Sequence, residues 1–271
     1  NHFYDKLMLG LPGREEQLEN MKSTIRALGE AGVPILGMHW MPQIVWRTDM
    51  GHFGRGGAYV SVYDHSIVMD RTRDSEIWVA RRDERDVNLK DTFTRGSFVK
   101  LGVETLTVDQ MWANFEYFVK GVIKTCEESG VVLCFHPDDP PAEELHGIAR
   151  ILTSVDNLER AMNIVDSPNL KLELCLGTVS EMDGENSVMD AVNRFAIPHE
   201  HFVAFLHSMT MDLTVTEYAN YEALMEYVYG SAAVIGLEMV PILGALSQGA
   251  YEPAEKLGIA FQLANFIRDV G

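Results

Sequence analysis

Val131-Val132-Leu133-Cys134-Phe135-His136 and Leu170-Lys171-Leu172-Glu173-Leu174-Cys175 are the two stretches whose reading decides the fold. Each is a short, mostly apolar run of strand length, and each is bounded by a helical pattern rather than by a tight hairpin turn. Residues 107–128 read as a helix with Asp109 near its start. Residues 156–165 read as a second, with Asp156 as cap and Glu159 three positions on, a capping-box spacing. Residues 186–195 read as a third. Upstream, Asp5–Leu9 is short and apolar and is closed by the turn Gly10-Leu11-Pro12-Gly13. Residues 15–30 place Leu18, Met21, Ile25 and Leu28 at helical spacing, and residues 33–38 read as a buried strand. This β-α-β alternation predicts an α/β protein with a parallel sheet.

A β/α barrel is preferred over an open sheet because of where the reactive side chains fall. His136 directly follows one strand and Cys175 ends the next, and the C-terminal strand ends of such barrels converge on the active site. Imidazole with thiolate suits a borderline divalent cation, which would act as a Lewis acid on a substrate oxygen. The bland readings are a cysteine that is only a small buried apolar group and a histidine hydrogen-bonded in a loop. Residues 39–105 are irregular and rich in Gly, Arg and Asp, including a charged run at 70–86. A segment of that length suggests a lid or an active-site insertion.

Composition narrows the function classes. The 271-residue chain is 46% hydrophobic and carries a net charge of −18. That bias argues against nucleic-acid and anionic-membrane surfaces, which need clustered Lys and Arg. The three cysteines, Cys126, Cys134 and Cys175, give no disulfide framework and suit a reducing compartment. No basic-then-apolar segment opens the chain, and residues 227–251 read as buried helix rather than a membrane span. The cytoplasm is the expected location. The start at Asn1 and the stop at Gly271 suggest a piece of something longer.

The motifs add a resemblance. His136-Pro137-Asp138-Asp139-Pro140-Pro141 is unusual. With Asn157-Leu158-Glu159-Arg160, Val165-Asp166-Ser167-Pro168 and Leu174-Cys175-Leu176-Gly177-Thr178 it resembles the mannonate dehydratases. Trp40-Met41-Pro42, Trp46-Arg47-Thr48 and Gly54-Arg55-Gly56-Gly57-Ala58 fit the same family, in order, over residues 1–195. The resemblance implies a xylose-isomerase-like barrel that dehydrates D-mannonate to 2-keto-3-deoxygluconate with Mn2+ or Fe2+. It implies His136 and Cys175 as metal ligands, and Arg47, Arg55, Asp138 and Asp139 as groups that hold the sugar acid or orient His136. The family's second metal histidine should fall near Phe205, where His207 is the nearest histidine. Its last metal aspartate has no counterpart, and its first strand would precede Asn1. So the barrel is expected to be incomplete, and a homo-oligomer is an open option.

Beyond about residue 196 no strand is expected. Three helices are predicted, near 200–211, 218–243 and 251–270, and acidic residues far outnumber the basic Lys256 and Arg268. Tyr227-Val228-Tyr229-Gly230-Ser231-Ala232-Ala233 and the closing run from Leu257 to Gly271 look like phytoene synthase, an all-α isoprenoid synthase. That likeness implies a diphosphate and Mg2+ role for Asn265, Arg268 and Asp269, with Gly230-Ser231-Ala232-Ala233 allowing close helix packing. Asp70 and Asp74 have bare aspartate-motif spacing without the surrounding residues. The expected organisation is therefore a partial barrel over 1–195 joined to a helical segment over 196–271. A sugar-acid dehydratase, a prenyl transferase and a chimera with neither activity remain the alternatives.

Overall fold

The computed structural model describes residues 4–42, 49–53, 57, 59–66, 103, 105–145, 147–197, 199–242 and 247–269. The chain divides into two compact units, Asn1–Ala191 and Val192–Gly271.

The first unit is α/β. Its central sheet has three parallel strands in the order β1 (Ile35–His39), β4 (Val132–His136), β7 (Leu170–Leu172). The register pairs Gly37 with Cys134, Met38 with Phe135 and His39 with His136, while Leu133 pairs with Leu170. Side chains alternate across a strand, so Met38, Leu133, Phe135 and Leu170 share one face, and all four are buried. Helices α2 (Arg14–Glu30) and α3 (Val108–Ser129) supply the layer that covers it, through Leu18, Met21 and Ile25 and through Met111, Phe115, Phe118, Val119 and Val122. Trp40, just past β1, is fully buried in this layer. Its ring stacks on Phe118 at 5.1 Å and meets Phe115 edge-on at 5.2 Å, while Phe115 and Phe135 are 4.7 Å apart. Burying four aromatic rings together fixes the helix layer against the strands and anchors the chain where it leaves β1.

Helix boundaries follow from local chemistry. Thr107 caps α3 in a reciprocal box with Gln110, and Gly130 closes it at φ 65°. Helix α4 (Val155–Met162) begins on Ser154, whose hydroxyl accepts from the Asn157 amide at 3.3 Å. The cap expected at Asp156 therefore lies two residues earlier, and Asp156 sits in the first turn instead, where its charge favours the helix dipole.

Three other expectations are corrected. Asp5–Leu9 is a single helical turn, α1, not a strand. Leu7, Met8 and Leu9 are all buried, a pattern that a buried turn and a buried strand share. Asp5 accepts from Gln17, and Gly10 ends the turn at φ 67°. The 39–105 segment is not wholly irregular, because β2 (Asp49–Gly51) and β3 (Val60–Val62) pair antiparallel. Its charged run at 70–86, with Asp70 and Asp74, lies outside the described residues. Third, β7 stops at Leu172, and the helix expected from 186 starts at Leu176. This helix, α5 (Leu176–Arg194), kinks at Asp183 and Gly184, where Gly184 takes φ 57°. Short β5 (Glu144–Leu145) and β6 (Ile148–Ala149) form a hairpin beyond β4.

The second unit is helical, as the sequence predicts: α6 (His199–Met211), α7 (Tyr221–Val228), a π-turn at Tyr229–Ala233, α8 (Val234–Ile242) and α9 (Tyr251–Asp269). Backbones approach one another at glycines. A Cβ on Gly230 would lie 2.0 Å from the Ala204 carbonyl oxygen, and one on Gly258 would lie 2.3 Å from that of Ala232. The close packing expected for residues 230–233 is present. Gly230→Ala is therefore expected to destabilise this unit by about 1–3 kcal/mol, the usual range for overpacking. Urea unfolding followed by circular dichroism reads this as a lowered midpoint, and an unchanged midpoint would refute the contact.

Burial along the middle of the unit is one-sided. Val228, Gly230, Ala233, Val234 and Val240 are buried, while Tyr221, Tyr229, Ile235 and Met239 are exposed. The stretch Tyr221–Val240 is long and apolar enough to cross a membrane, and 28% of that window is buried. The described part of 227–251 is thus not a uniformly buried helix.

Candidate functional site

The face of the sheet opposite the aromatic core carries the reactive groups. By the same alternation, Gly37 and His39 of β1, Cys134 and His136 of β4, and Lys171 and Glu173 at β7 share it. The Glu173 amide donates to the Phe135 carbonyl at 2.9 Å, so the chain past β7 still runs beside β4. Its carboxylate reaches across the sheet: a Cβ on Gly37 would lie 3.0 Å from Glu173 Oε2.

His136 is the last residue of β4. Its Nδ1 lies 2.6 Å from the Pro137 carbonyl oxygen. A carbonyl only accepts, so Nδ1 is the donor in this bond. The sequence predicts Cys175 at the end of a strand, but the strand stops at Leu172. Cys175 lies past β7 at the head of α5, where its carbonyl accepts from the Val179 amide at 2.9 Å. The correction leaves it at the same end of the sheet as His136. Its thiol is half-buried, and the Thr178 hydroxyl donates to Sγ at 3.5 Å. Burial pushes the Cys126 and Cys134 thiols up to about 11, with nearby Glu127 and Glu173 adding to it. Both stay protonated at neutral pH and are poor metal ligands.

Asp138, expected to hold the sugar acid or to orient His136, lies inside the fold. It is fully buried, and its Oδ2 accepts from the Ile151 and Leu152 amides at 3.1 and 3.0 Å. Arg150 Nε is 4.0 Å away, and Arg150 Nη2 donates to the Asp139 carbonyl at 3.0 Å. Burial pushes the Asp138 carboxyl up, opposed by Arg150 and by the two amides. These bonds tie the loop after β4 to residues 150–152. Asp139 is half-buried.

The remaining candidates are scattered. Arg47 and Arg55 lie outside the described residues. His207 is on α6 in the second unit, not at a strand end. It is exposed there, with Nε2 2.9 Å from Glu226 Oε1. Asn265, Arg268 and Asp269 are on α9, where Asn265 and Arg268 are exposed. Among the described residues, no three His, Cys, Asp or Glu side chains are grouped closely enough to hold a metal ion.

Sequence reasoning missed His39. It ends β1 as His136 ends β4, and the two rings lie 4.6 Å apart, tilted by 47°. The signal was present in the sequence: both strands close on histidine, ILGMH and VLCFH.

A model of the family described as D-mannonate dehydratase (UxuA) matches residues 1–251. The mannonate dehydratase of Thermotoga neapolitana is 32% identical over 204 residues, which cover 71% of this chain and 54% of that protein. That of Lactococcus lactis subsp. cremoris (strain MG1363) is 28% identical over 268 residues, covering 93% and 69%. Among solved structures, the mannonate dehydratase from Streptococcus suis serotype 2 matches with a TM-score of 0.50 at 28% identity, over 64% of this chain and 45% of that one. The chain spans about half the length of the Thermotoga proteins it matches. The family match runs past residue 195 into the second unit, and nothing in these comparisons supports a likeness to phytoene synthase there.

Proposed function

Because the chain belongs to the D-mannonate dehydratase (UxuA) family, we propose that it descends from, and contributes the metal-binding mouth of, a hydro-lyase that converts D-mannonate to 2-keto-3-deoxygluconate and water. The observation that carries the reading is the placement of an imidazole and a thiol, His136 and Cys175, at one end of a parallel sheet. The three strands are proposed to be staves of a xylose-isomerase-like barrel, in which that end is the active-site end.

Imidazole and thiol are donor types that Mn2+ or Fe2+ would accept: the Pro137 carbonyl engages Nδ1 of His136 and leaves Nε2 for a cation, and Cys175 is more exposed than the buried Cys126 and Cys134. When bound, such a cation supplies Lewis-acid polarisation of the substrate's carboxylate and adjacent hydroxyl, which eases loss of the C2 proton and the C3 hydroxyl. The protein's own groups do the positioning. Pro137 holds the ring of His136 through Nδ1, and the Asp138–Arg150 pair fixes the loop that carries it. Glu173 adds a carboxylate to the same face. Arg47 and Arg55 are proposed to hold the sugar acid's carboxylate, the bidentate role that guanidinium geometry favours.

The test is turnover. The purified chain loaded with Mn2+ or Fe2+ is expected to release 2-keto-3-deoxygluconate from D-mannonate and to leave geranylgeranyl diphosphate unchanged. Metal-loaded protein that forms no keto acid would overturn the dehydratase reading for this chain. Consumption of the diphosphate would restore the prenyl-transferase one.

A further inference from the structure

We infer that a single water molecule is bound between the side chains of Asp138 and Arg150, as a fixed internal part of the first unit. The inference is independent of the metal-site reading above.

Three buried polar atoms belong to this pair. Asp138 is fully buried and Arg150 is 2% exposed, so bulk solvent satisfies neither. Asp138 Oδ2 takes the amides of both Ile151 and Leu152. Arg150 Nη2 is also engaged, with the Asp139 carbonyl at 3.0 Å and the Met41 sulfur at 2.9 Å. That leaves Asp138 Oδ1, Arg150 Nε and Arg150 Nη1, and among the described residues none of these atoms has a hydrogen-bond partner.

Leaving a carboxylate oxygen and two guanidinium N–H groups unbonded in the interior is costly, and buried polar atoms are nearly always satisfied by protein or by ordered water. The pair does not satisfy itself. Nε lies 4.0 Å from Oδ2, beyond hydrogen-bond length. A gap of that size suits a bridge, because a water with two bonds of about 2.8–3.0 Å joins polar atoms roughly 4–5 Å apart. The donor pattern agrees. Oδ1 accepts while Nε and Nη1 donate, which matches a molecule that does both, and three partners is the usual number for a buried water. Charge selects water over an ion. The carboxylate and the guanidinium neutralise one another, so an anion would be repelled by Asp138 and a cation by Arg150, in surroundings that screen neither.

The site lies where three segments meet: Met41 follows β1, Asp138 and Asp139 follow β4, and Arg150 follows β6. A direct ion pair, reached by a small turn of the Arg150 side chain, is the competing account. It requires Nε or Nη1 in hydrogen-bond contact with Oδ1 and no ordered solvent between them.

The experiment uses the intact chain without added metal. High-resolution crystals are expected to show a solvent peak within hydrogen-bond distance of Asp138 Oδ1 and of Arg150 Nε or Nη1 in every copy. In solution, the Arg150 Nε–H should give a nuclear Overhauser cross-peak to water with the sign of a long-lived bound molecule. Oxygen-17 relaxation dispersion should count at least one fewer long-lived water in the double variant Asp138→Leu with Arg150→Met than in wild type. If that variant does not fold, the two wild-type measurements decide alone. A direct hydrogen bond from Arg150 to Asp138 Oδ1 with no solvent peak would overturn the inference, as would an Arg150 Nε–H without a cross-peak to water. A peak whose anomalous scattering marks it as chloride would overturn it too.

Discussion

Replacing His136 with alanine is expected to weaken Mn2+ or Co2+ binding by on the order of 100-fold or more, since even residues that only orient a ligand cost 10–100-fold when mutated. The same change should move the melting temperature by no more than about 2–4 °C, because removing a half-buried ring at a strand end perturbs little packing. The two readouts separate a ligand from a structural residue. His136 ends β4 above a core that Phe135, its neighbour in sequence, already anchors on the other face. The ring itself contributes one hydrogen bond, to Pro137, within its own turn. A cation that depends on Nε2 loses its ligand outright, while the sheet keeps every ladder bond. Cys175→Ala should behave alike, with a smaller loss of affinity if water takes its place in the ion's shell. Metal stoichiometry and affinity that are unchanged in both variants would show that this end of the sheet is not the metal site.

Much of the first unit was legible because its signals are local and redundant. The apolar run through Phe135 and the helical spacing of residues 107–128 each allow one buried structure, and each formed within a residue or two. Legibility failed where one pattern serves two structures. Leu7-Met8-Leu9 is buried on every side, so periodicity could not separate a helical turn from a strand; the left-handed Gly10 decided it. Ser154 and Asp156 both cap helices well, and only the backbone shows that Ser154 bonds the Asn157 amide. The strand through Leu174 was overread because Leu172 and Leu174 alternate as a strand would, yet the ladder ends at Leu172 and the chain turns into α5. His136 and Cys175 were found from their position in the sequence. His39 is less legible, because the apolar run continues past it through Trp40-Met41 and hides the end of β1. Asp138 looked like a substrate or orienting group from its Pro-flanked loop. Its burial against the amides of Ile151 and Leu152 is a tertiary fact that no local pattern encodes. In the second unit the helices were readable from the absence of strand pattern, but likeness to an isoprenoid synthase was inferred from short runs of small and apolar residues. Such runs suit any close helix packing, as Gly230 against Ala204 illustrates.

Asp138→Ala is expected to cost the first unit about 3–5 kcal/mol, the range for removing one partner of a buried ion pair. The physical reason is what the substitution leaves behind. The amides of Ile151 and Leu152 lose their acceptor, and Arg150, 2% exposed, keeps its charge with no carboxylate beside it. Burial already pulls Arg150 down in its affinity for a proton, and Asp138 is the first of the groups that oppose this. Domains are typically stable by only ~5–15 kcal/mol, so a loss of that size should be visible as a large fall in the urea midpoint. Asp138→Asn should cost less, because an amide oxygen can still accept from the two backbone donors, although the charge on Arg150 stays unbalanced. The decisive comparison is a double substitution, Asp138→Leu with Arg150→Met. If the pair matters through its charges, removing both should cost less than the sum of the single changes, with a coupling of about 1 kcal/mol or more. Additive losses would mean that the two side chains act independently, Asp138 through its amide bonds and Arg150 through the Asp139 carbonyl. The loop after β4 would then be held by hydrogen bonds alone, and the orientation of His136 would not depend on the ion pair.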